Sequence, residues 1–418
     1  MLNRRTLLHH GARSLSSAAL ASLPCLRAFA QQATPPHTDE MTQNTSQTRQ
    51  TFPQPDFGPT PTVLPKETLA LRGPNSLKAH AQSHGILTGA ALVSNVLAAD
   101  PALQELVADQ YSLLVPESEL KWGVLRPAQD RFDYSAAETL LTFAPAHRLQ
   151  LRGHTLVWHQ SVTTWLTTLP DSTDVRAILV DHIRQVVGHF RGHLHSWDVV
   201  NEAILPSDKQ RGSLRKSFWY DRVSPSYIDP AFNTAHEADP NVPLAYNDYG
   251  VEYDDGDNEQ RRRAILDLLD LLRGLQSRAV PIHAVGIQAH LKAGFLAPVG
   301  KGLTDYIEAI RQLGLAVYIA KLDVNEDDIA APDVPTRDAA IALAYRKFMD
   351  VVLPNPAVKL VLTWGVSSRR TWLNDGPTHH RKQPDRPQRS LPFDPAYRPT
   401  PAFFALRDSF DARPQTHT

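Results

Sequence analysis

Eight times between Ile86 and Val366 the chain passes from a short apolar run ending in polar or charged residues into a longer stretch of helical periodicity. The apolar runs are Ile86–Leu92, Ser112–Ser118, Gln150–Trp158, Ser196–Glu202, Pro243–Tyr249, Ala284–Leu291, Ala316–Val324 and Leu360–Val366. Each gap between them is long enough for a crossover helix, so the pattern predicts eight βα units closed into a parallel (β/α)8 TIM barrel with a single catalytic-type domain. The helix before the sixth run carries an apolar stripe of Ile265, Leu268, Leu269, Leu272 and Leu275. That stripe should pack on the barrel, with Arg261, Arg262, Asp267 and Asp270 off it.

The chain has 418 residues, of which 42% are hydrophobic. That is enough for one such domain, which typically takes about 250 residues. A formal net charge of −1 gives no reason to expect nucleic acid or an anionic membrane as partner. Residues 1–30 resemble an export signal of twin-arginine type, with Arg4-Arg5, a modestly apolar stretch and the cleavage site Ala28-Phe29-Ala30. The protein is therefore expected outside the cytoplasm, in the periplasm or beyond. Cys25, the only cysteine, lies within that segment, so the exported chain would hold no disulfide. Residues 31–66 are rich in Gln, Thr and Pro and read as a disordered linker. The barrel is expected over 67–411 and a polar tail over 412–418. No later stretch is apolar for long enough to span a bilayer, and a monomer is expected.

In a barrel of this kind chemistry gathers at the carboxyl ends of the strands. There the chain carries Gly153-His154-Thr155-Leu156-Val157-Trp158-His159, Trp197-Asp198-Val199-Val200-Asn201-Glu202, Asn247-Asp248-Tyr249, Gln288-Ala289-His290 and Trp364-Gly365-Val366. This ordered series resembles glycoside hydrolase family 10, the retaining endo-β-1,4-xylanases. Glu117, Lys121 and Trp122 extend the likeness, as do Tyr227-Ile228, Ala231-Phe232 and Leu391-Pro392-Phe393-Asp394, so that it covers most of residues 70 to 407.

Retaining cleavage of a glycoside takes two carboxyl groups about 5–5.5 Å apart, one to protonate the leaving oxygen and one to attack the anomeric carbon. Glu202, after Asn201 at the end of a buried strand, fits the acid/base role. The resemblance places the nucleophile on the seventh strand, where the family has Thr-Glu-Leu-Asp after isoleucine. This chain reads Ile319-Ala320-Lys321-Leu322-Asp323. A lysine there is not competent: its cation stands where an oxocarbenium-like transition state needs negative charge. Ser118 and Ser368 also depart from the family pattern, replacing asparagine and aspartate, and are expected in the same pocket.

The resemblance further implies that Glu117, Ser118, Lys121, His154, Trp158, Asn201, Tyr249, Gln288, Trp364 and Trp372 contact substrate, and that His290 and Asp323 orient the nucleophile position. Taken singly, each tryptophan would serve equally well in core packing. His154, His159 and His290 lack a metal-ligand spacing, and neither metal nor cofactor is expected. The basic run His379-His380-Arg381-Lys382 reads as a solvated loop.

Three functions are compatible with these residues. One is a xylanase-family barrel that holds xylan or xylo-oligosaccharide and cleaves it poorly or not at all. Another is an active endo-β-1,4-xylanase in which Glu326 or Asp327 swings in as a substitute carboxylate. The third is Schiff-base chemistry at Lys321, which would need a depressed pKa that Glu202 is expected to oppose.

Overall fold

The computed structural model describes residues 55–274, 280–374, 383 and 385–414. The export segment, most of the linker, Leu275, the basic run at 379–382 and the last four residues lie outside them. Every described residue belongs to one compact unit, Ser46–Thr418.

Eight parallel strands form the barrel: β1 (Leu87–Leu92), β2 (Leu113–Pro116), β3 (Gln150–Trp158), β4 (Ser196–Asn201), β5 (Leu244–Asp248), β6 (Ala284–Ile287), β7 (Ala316–Asn325) and β8 (Val358–Thr363). Neighbours pair in chain order, and β1 pairs with β8 from Leu87↔Leu360 to Ala90↔Thr363, which closes the ring. The expected sixth run divides in two. After Ile287 the chain breaks, with Ala289 at φ 59°, and resumes as a short strand His290–Lys292 paired to the outer end of β7.

Side chains alternate between the two faces of each strand. One apolar cluster fills part of the barrel interior, from Ala91, Leu113, Val115, Ala245, Ala284, Tyr318, Leu360 and Leu362. On the β3–β4 side the interior is ionic: Arg152 faces Asp198 with both side chains buried, and its guanidinium lies 5.3 Å from the Tyr318 ring. The outward faces meet the helices in the larger core, to which β4 contributes Trp197 and Val199. Gly153 is required beside Trp197, because a Cβ at that position would lie 2.1 Å from the indole.

The helix Gly256–Gly274 packs as its stripe predicts, with Ile265, Leu268, Leu269 and Leu272 all buried. Each such burial contributes about 1.5–3 kcal/mol relative to exposure. The expectation that Arg261 and Arg262 lie off the packed face does not hold: both are buried. They sit in the helix's first turns, where Arg261 reaches Asp248 at 2.6 Å and Arg262 donates to the carbonyls of Val251 and Tyr253. Fixed acceptors on the β5 loop draw the two guanidinium groups inward. Ahead of the barrel, Leu64 is buried and Arg369 donates to the carbonyls of Phe57, Gly58 and Pro59.

Candidate active site

At the carboxyl end of β4 the chain turns sharply, and Glu202 adopts φ 60°, a left-handed conformation uncommon for a residue with a side chain. Two backbone bonds hold it there: its N–H donates to the Asn247 carbonyl at 2.9 Å, and its own carbonyl accepts from Arg215 at 2.9 Å. The turn aims the carboxylate into the barrel mouth, where it is buried and fully engaged. Oε1 accepts from Asn201 Nδ2 at 2.9 Å and Gln288 Nε2 at 2.8 Å, and Oε2 accepts from Trp158 Nε1 at 2.7 Å. Asn201 is oriented in turn by Asn247 Nδ2, which donates to its Oδ1 at 2.9 Å. Gly286 makes room for that contact, since a Cβ there would stand 2.1 Å from Asn247 Oδ1.

Lys321 projects from β7 into the same space, with its Nζ 3.9 Å from Glu202 Oε1. Its ammonium also lies 4.8 Å from the Trp364 ring and 5.7 Å from the Trp158 ring. Burial alone would raise the Glu202 pKa, yet the Lys321 cation opposes it most strongly, aided by His159 and the bonds from Gln288 and Trp158. The carboxyl is carried down to about 2. Lys321 moves the other way from its expectation. Burial dominates, and although Glu202 pulls the amine up, Lys121 and Arg152 oppose it, so that the pKa falls to about 8. Glu202 therefore does not hold Lys321 at its ordinary value.

His154 and Asp198 line the floor. His154 Nδ1 is 2.8 Å from Asp198 Oδ2, and the His154–Thr155 peptide is cis. Burial is the main cause that lowers the imidazole to about 3, with Lys321 next. The buried Asp198 carboxyl nonetheless sits at about 2, because Arg152 and His154 outweigh its desolvation.

Asp323 lies two residues beyond Lys321 and so shares its face of β7. It accepts from Trp372 Nε1 at 2.6 Å and pairs with His290 Nδ1 at 2.8 Å. Lys121 stands over the Trp158 ring at 5.0 Å, with Glu117 the leading carboxylate acting on it. Ser118 donates its backbone N–H to Glu119 at 3.0 Å, and the buried Glu119 also accepts from the Ser94 amide. Tyr249 is half-buried, and its hydroxyl accepts from Arg215 at 2.9 Å.

Glu202, Lys321, Trp158, Asn201 and Gln288 thus come together directly, with Lys121, His154 and Trp364 around them. His290, Asp323 and Trp372 form an adjoining group.

Ser368 is fully buried, with its N–H on the Phe393 carbonyl at 2.9 Å and its carbonyl facing Asn374. One expectation changes. Glu326 is not poised to swing in. It is buried, receives both arms of Arg337 and accepts the Arg389 amide at 2.9 Å. Asp327 is likewise held by Gln388 at 2.7 Å.

Arg152, Asp198, Arg215 and Glu119 were not singled out from the sequence. An arginine and an aspartate at alternate, inward positions of adjacent strands was the signal available for the first two. Among the described residues no group of three or more His, Cys, Asp or Glu side chains could hold a metal ion.

Residues 76–409 match the family described as Glycosyl hydrolase family 10. The chain is 31% identical to Endo-1,4-beta-xylanase B of Thermotoga neapolitana over 310 residues, which cover 74% of this chain and 83% of that protein. It is 33% identical to Beta-1,4-xylanase of Dictyoglomus thermophilum, covering 72% and 83%. Among solved structures, native xylanase 10B from Thermotoga maritima superposes with a TM-score of 0.70 at 30% identity, covering 81% of this chain and 98% of that one. Xylanase 10B from Thermotoga petrophila RKU-1, solved in complex with xylobiose, gives 0.70 at 29% identity, covering 81% and 97%.

Proposed function

Because the chain belongs to glycosyl hydrolase family 10, we propose that it is a xylan-binding barrel in which Lys321 occupies the nucleophile's position and turnover is lost or strongly impaired. The observation that carries this reading is the Lys321–Glu202 pair at 3.9 Å. The lysine stands where an attacking carboxylate is needed, and its charge holds Glu202 in the ionised form that cannot donate a proton to a leaving group near neutral pH. Nearby carboxylates are committed elsewhere: Asp198 to Arg152 and His154, Asp323 to His290 and Trp372, Glu326 to Arg337. A nucleophile has to be placed within about an ångström, so none of them is a ready substitute.

Binding is a separate matter from cleavage. Trp158, Trp364 and Trp372 supply flat apolar faces for pyranose rings, with Lys121, His154, Asn201 and Gln288 as polar partners. Xylotetraose is expected to give a saturable change in tryptophan fluorescence or a calorimetric isotherm in the millimolar range or tighter. No signal at millimolar ligand would mean that Lys321 and Ser118 have closed the cleft to sugar.

Export is proposed from Arg4-Arg5 and Ala28-Phe29-Ala30. The intact mass of protein from the periplasm or medium should correspond to a chain beginning near Gln31. A cytoplasmic protein that retains Met1 would contradict it.

A further inference from the structure

The substitution at Lys321 does more than remove a carboxylate; it places a cation in the inner cleft beside Glu202. The groups that act most strongly on Lys321 are the carboxylates of Glu202 and Asp198 and the cations of Lys121 and Arg152. Lys121 has carboxylates of its own in Glu117 and Glu119, so the cleft carries no surplus of cations. Arg152 and Asp198 satisfy each other through two hydrogen bonds, and Glu202 is filled by Asn201, Gln288 and Trp158. The Lys321 ammonium is left with an ion-pair neighbour at 3.9 Å, beyond hydrogen-bond reach, and two indole faces. Among the described residues it makes no hydrogen bond. A cleft ammonium whose N–H donors find no protein acceptor within hydrogen-bond reach among the described residues is a place for an anionic oxygen.

We infer that the inner end of the cleft takes a xylo-oligosaccharide bearing a carboxylate, with the anionic group seated on the Lys321 ammonium. This rests on the reading of the cleft as a xylo-oligosaccharide site. Within that reading the anomeric carbon lies between Glu202 and Lys321, so the carboxylate that fits best is one at C1, an aldonate at the end of the chain. Plain xylose there would leave the ammonium facing a ring carbon. An aldonate oxygen gives it a charge-assisted partner, and the oligosaccharide's remaining units extend along the tryptophan-lined cleft. A uronic-acid branch carries the same chemical group from a different point on the sugar, and the two sources separate by experiment.

Calorimetry on the full exported chain would compare xylotriose, xylotrionic acid and xylotriose carrying a glucuronosyl branch. Xylotrionic acid is expected to bind about tenfold more tightly than xylotriose, the scale of one charge-assisted hydrogen bond in a largely desolvated site. In Lys321→Met the preference should vanish or reverse, because the Glu202 carboxylate then faces the ligand without its counter-charge; Lys321→Arg should keep it. A gain for the branched sugar alone, lost in Lys321→Met, would retain the anion site and assign it to the uronate. Equal binding of all three ligands to the unmodified protein would overturn the inference while leaving xylo-oligosaccharide binding intact. No binding of any of them at millimolar concentration would remove the underlying reading, and the inference with it.

Discussion

Incubated with xylan, the unmodified protein should release reducing sugar at the background rate, and Lys321→Glu should raise that rate by a factor on the order of 10³ or more, the scale on which a single preorganised active-site group acts. The gain comes from two changes made by one substitution. A carboxylate appears on β7 facing Glu202, which supplies the second of the two groups that retaining cleavage requires. The cation that held Glu202 at about 2 disappears at the same time. Burial, already the largest influence on Glu202, then acts in concert with a neighbouring negative charge, and both raise its pKa. The sign is testable in the pH profile of the variant: activity should fall as pH rises through the elevated Glu202 pKa, because the proton donor is then lost. Adding Ser118→Asn should increase the rate further. Glu202→Gln in the Lys321→Glu background should abolish turnover of xylan. If the unmodified protein cleaves xylan and still does so without Glu202, both assigned positions are wrong.

The barrel was legible in the sequence because it follows from local periodicity, and the mouth residues because the resemblance to glycoside hydrolase family 10 implied them. Strand β3 matches its expected bounds, Gln150–Trp158, since an apolar run with inward polar residues at alternate positions has one solution in a closed sheet. The resemblance put Lys321 and Asp323 together on the seventh strand. What the sequence left illegible depends on partners distant along the chain. Arg261 and Arg262 were set off the stripe for their charge, although at about 100° per residue Arg261 falls among Ile265, Leu268 and Leu272 and Arg262 beside Leu269; what draws them inward are acceptors on the β5 strand and the loop after it. Glu326 read as a spare carboxylate because its jailer, Arg337, sits eleven residues on, in the next helix. Lys321's amine was expected to be held up by Glu202, since pairwise charge is visible in sequence and the extent of burial is not. The sixth strand's break at Ala289 has no local signature of the Gly or Pro kind, and it is this break that turns His290 toward Asp323.

Arg152→Met should destabilise the protein by about 3–5 kcal/mol, the range for removing one partner of a buried ion pair, measured as a shift in the urea midpoint. Arg152 is placed inside the barrel, where Asp198 takes two of its N–H groups and the Tyr318 ring lies against it. Methionine fills much of the volume, so the loss reports the charge left on Asp198 and little of a cavity. The pH dependence distinguishes these causes. With Arg152 present, the folded Asp198 pKa of about 2 lies below its unfolded value, so its contribution is complete above about pH 4 and disappears as pH falls towards 2. Without Arg152, burial prevails and raises the folded pKa above the unfolded one. The folded state then binds more protons, and stability should decline as pH rises from about 4 towards neutrality, opposite in sign to the parent. Replacing the carboxylate as well, in Arg152→Met with Asp198→Asn, should recover much of the loss and flatten that slope. The effect should also reach the cleft. His154 is anchored by Asp198 at 2.8 Å, so the single variant frees the imidazole that forms the floor beneath Lys321 and should weaken xylotetraose binding even at temperatures where the fold persists. A loss below about 1 kcal/mol, with no change in pH slope, would mean that the barrel rehydrates Asp198 readily and that the ionic half of its interior is not what holds β3 to β4.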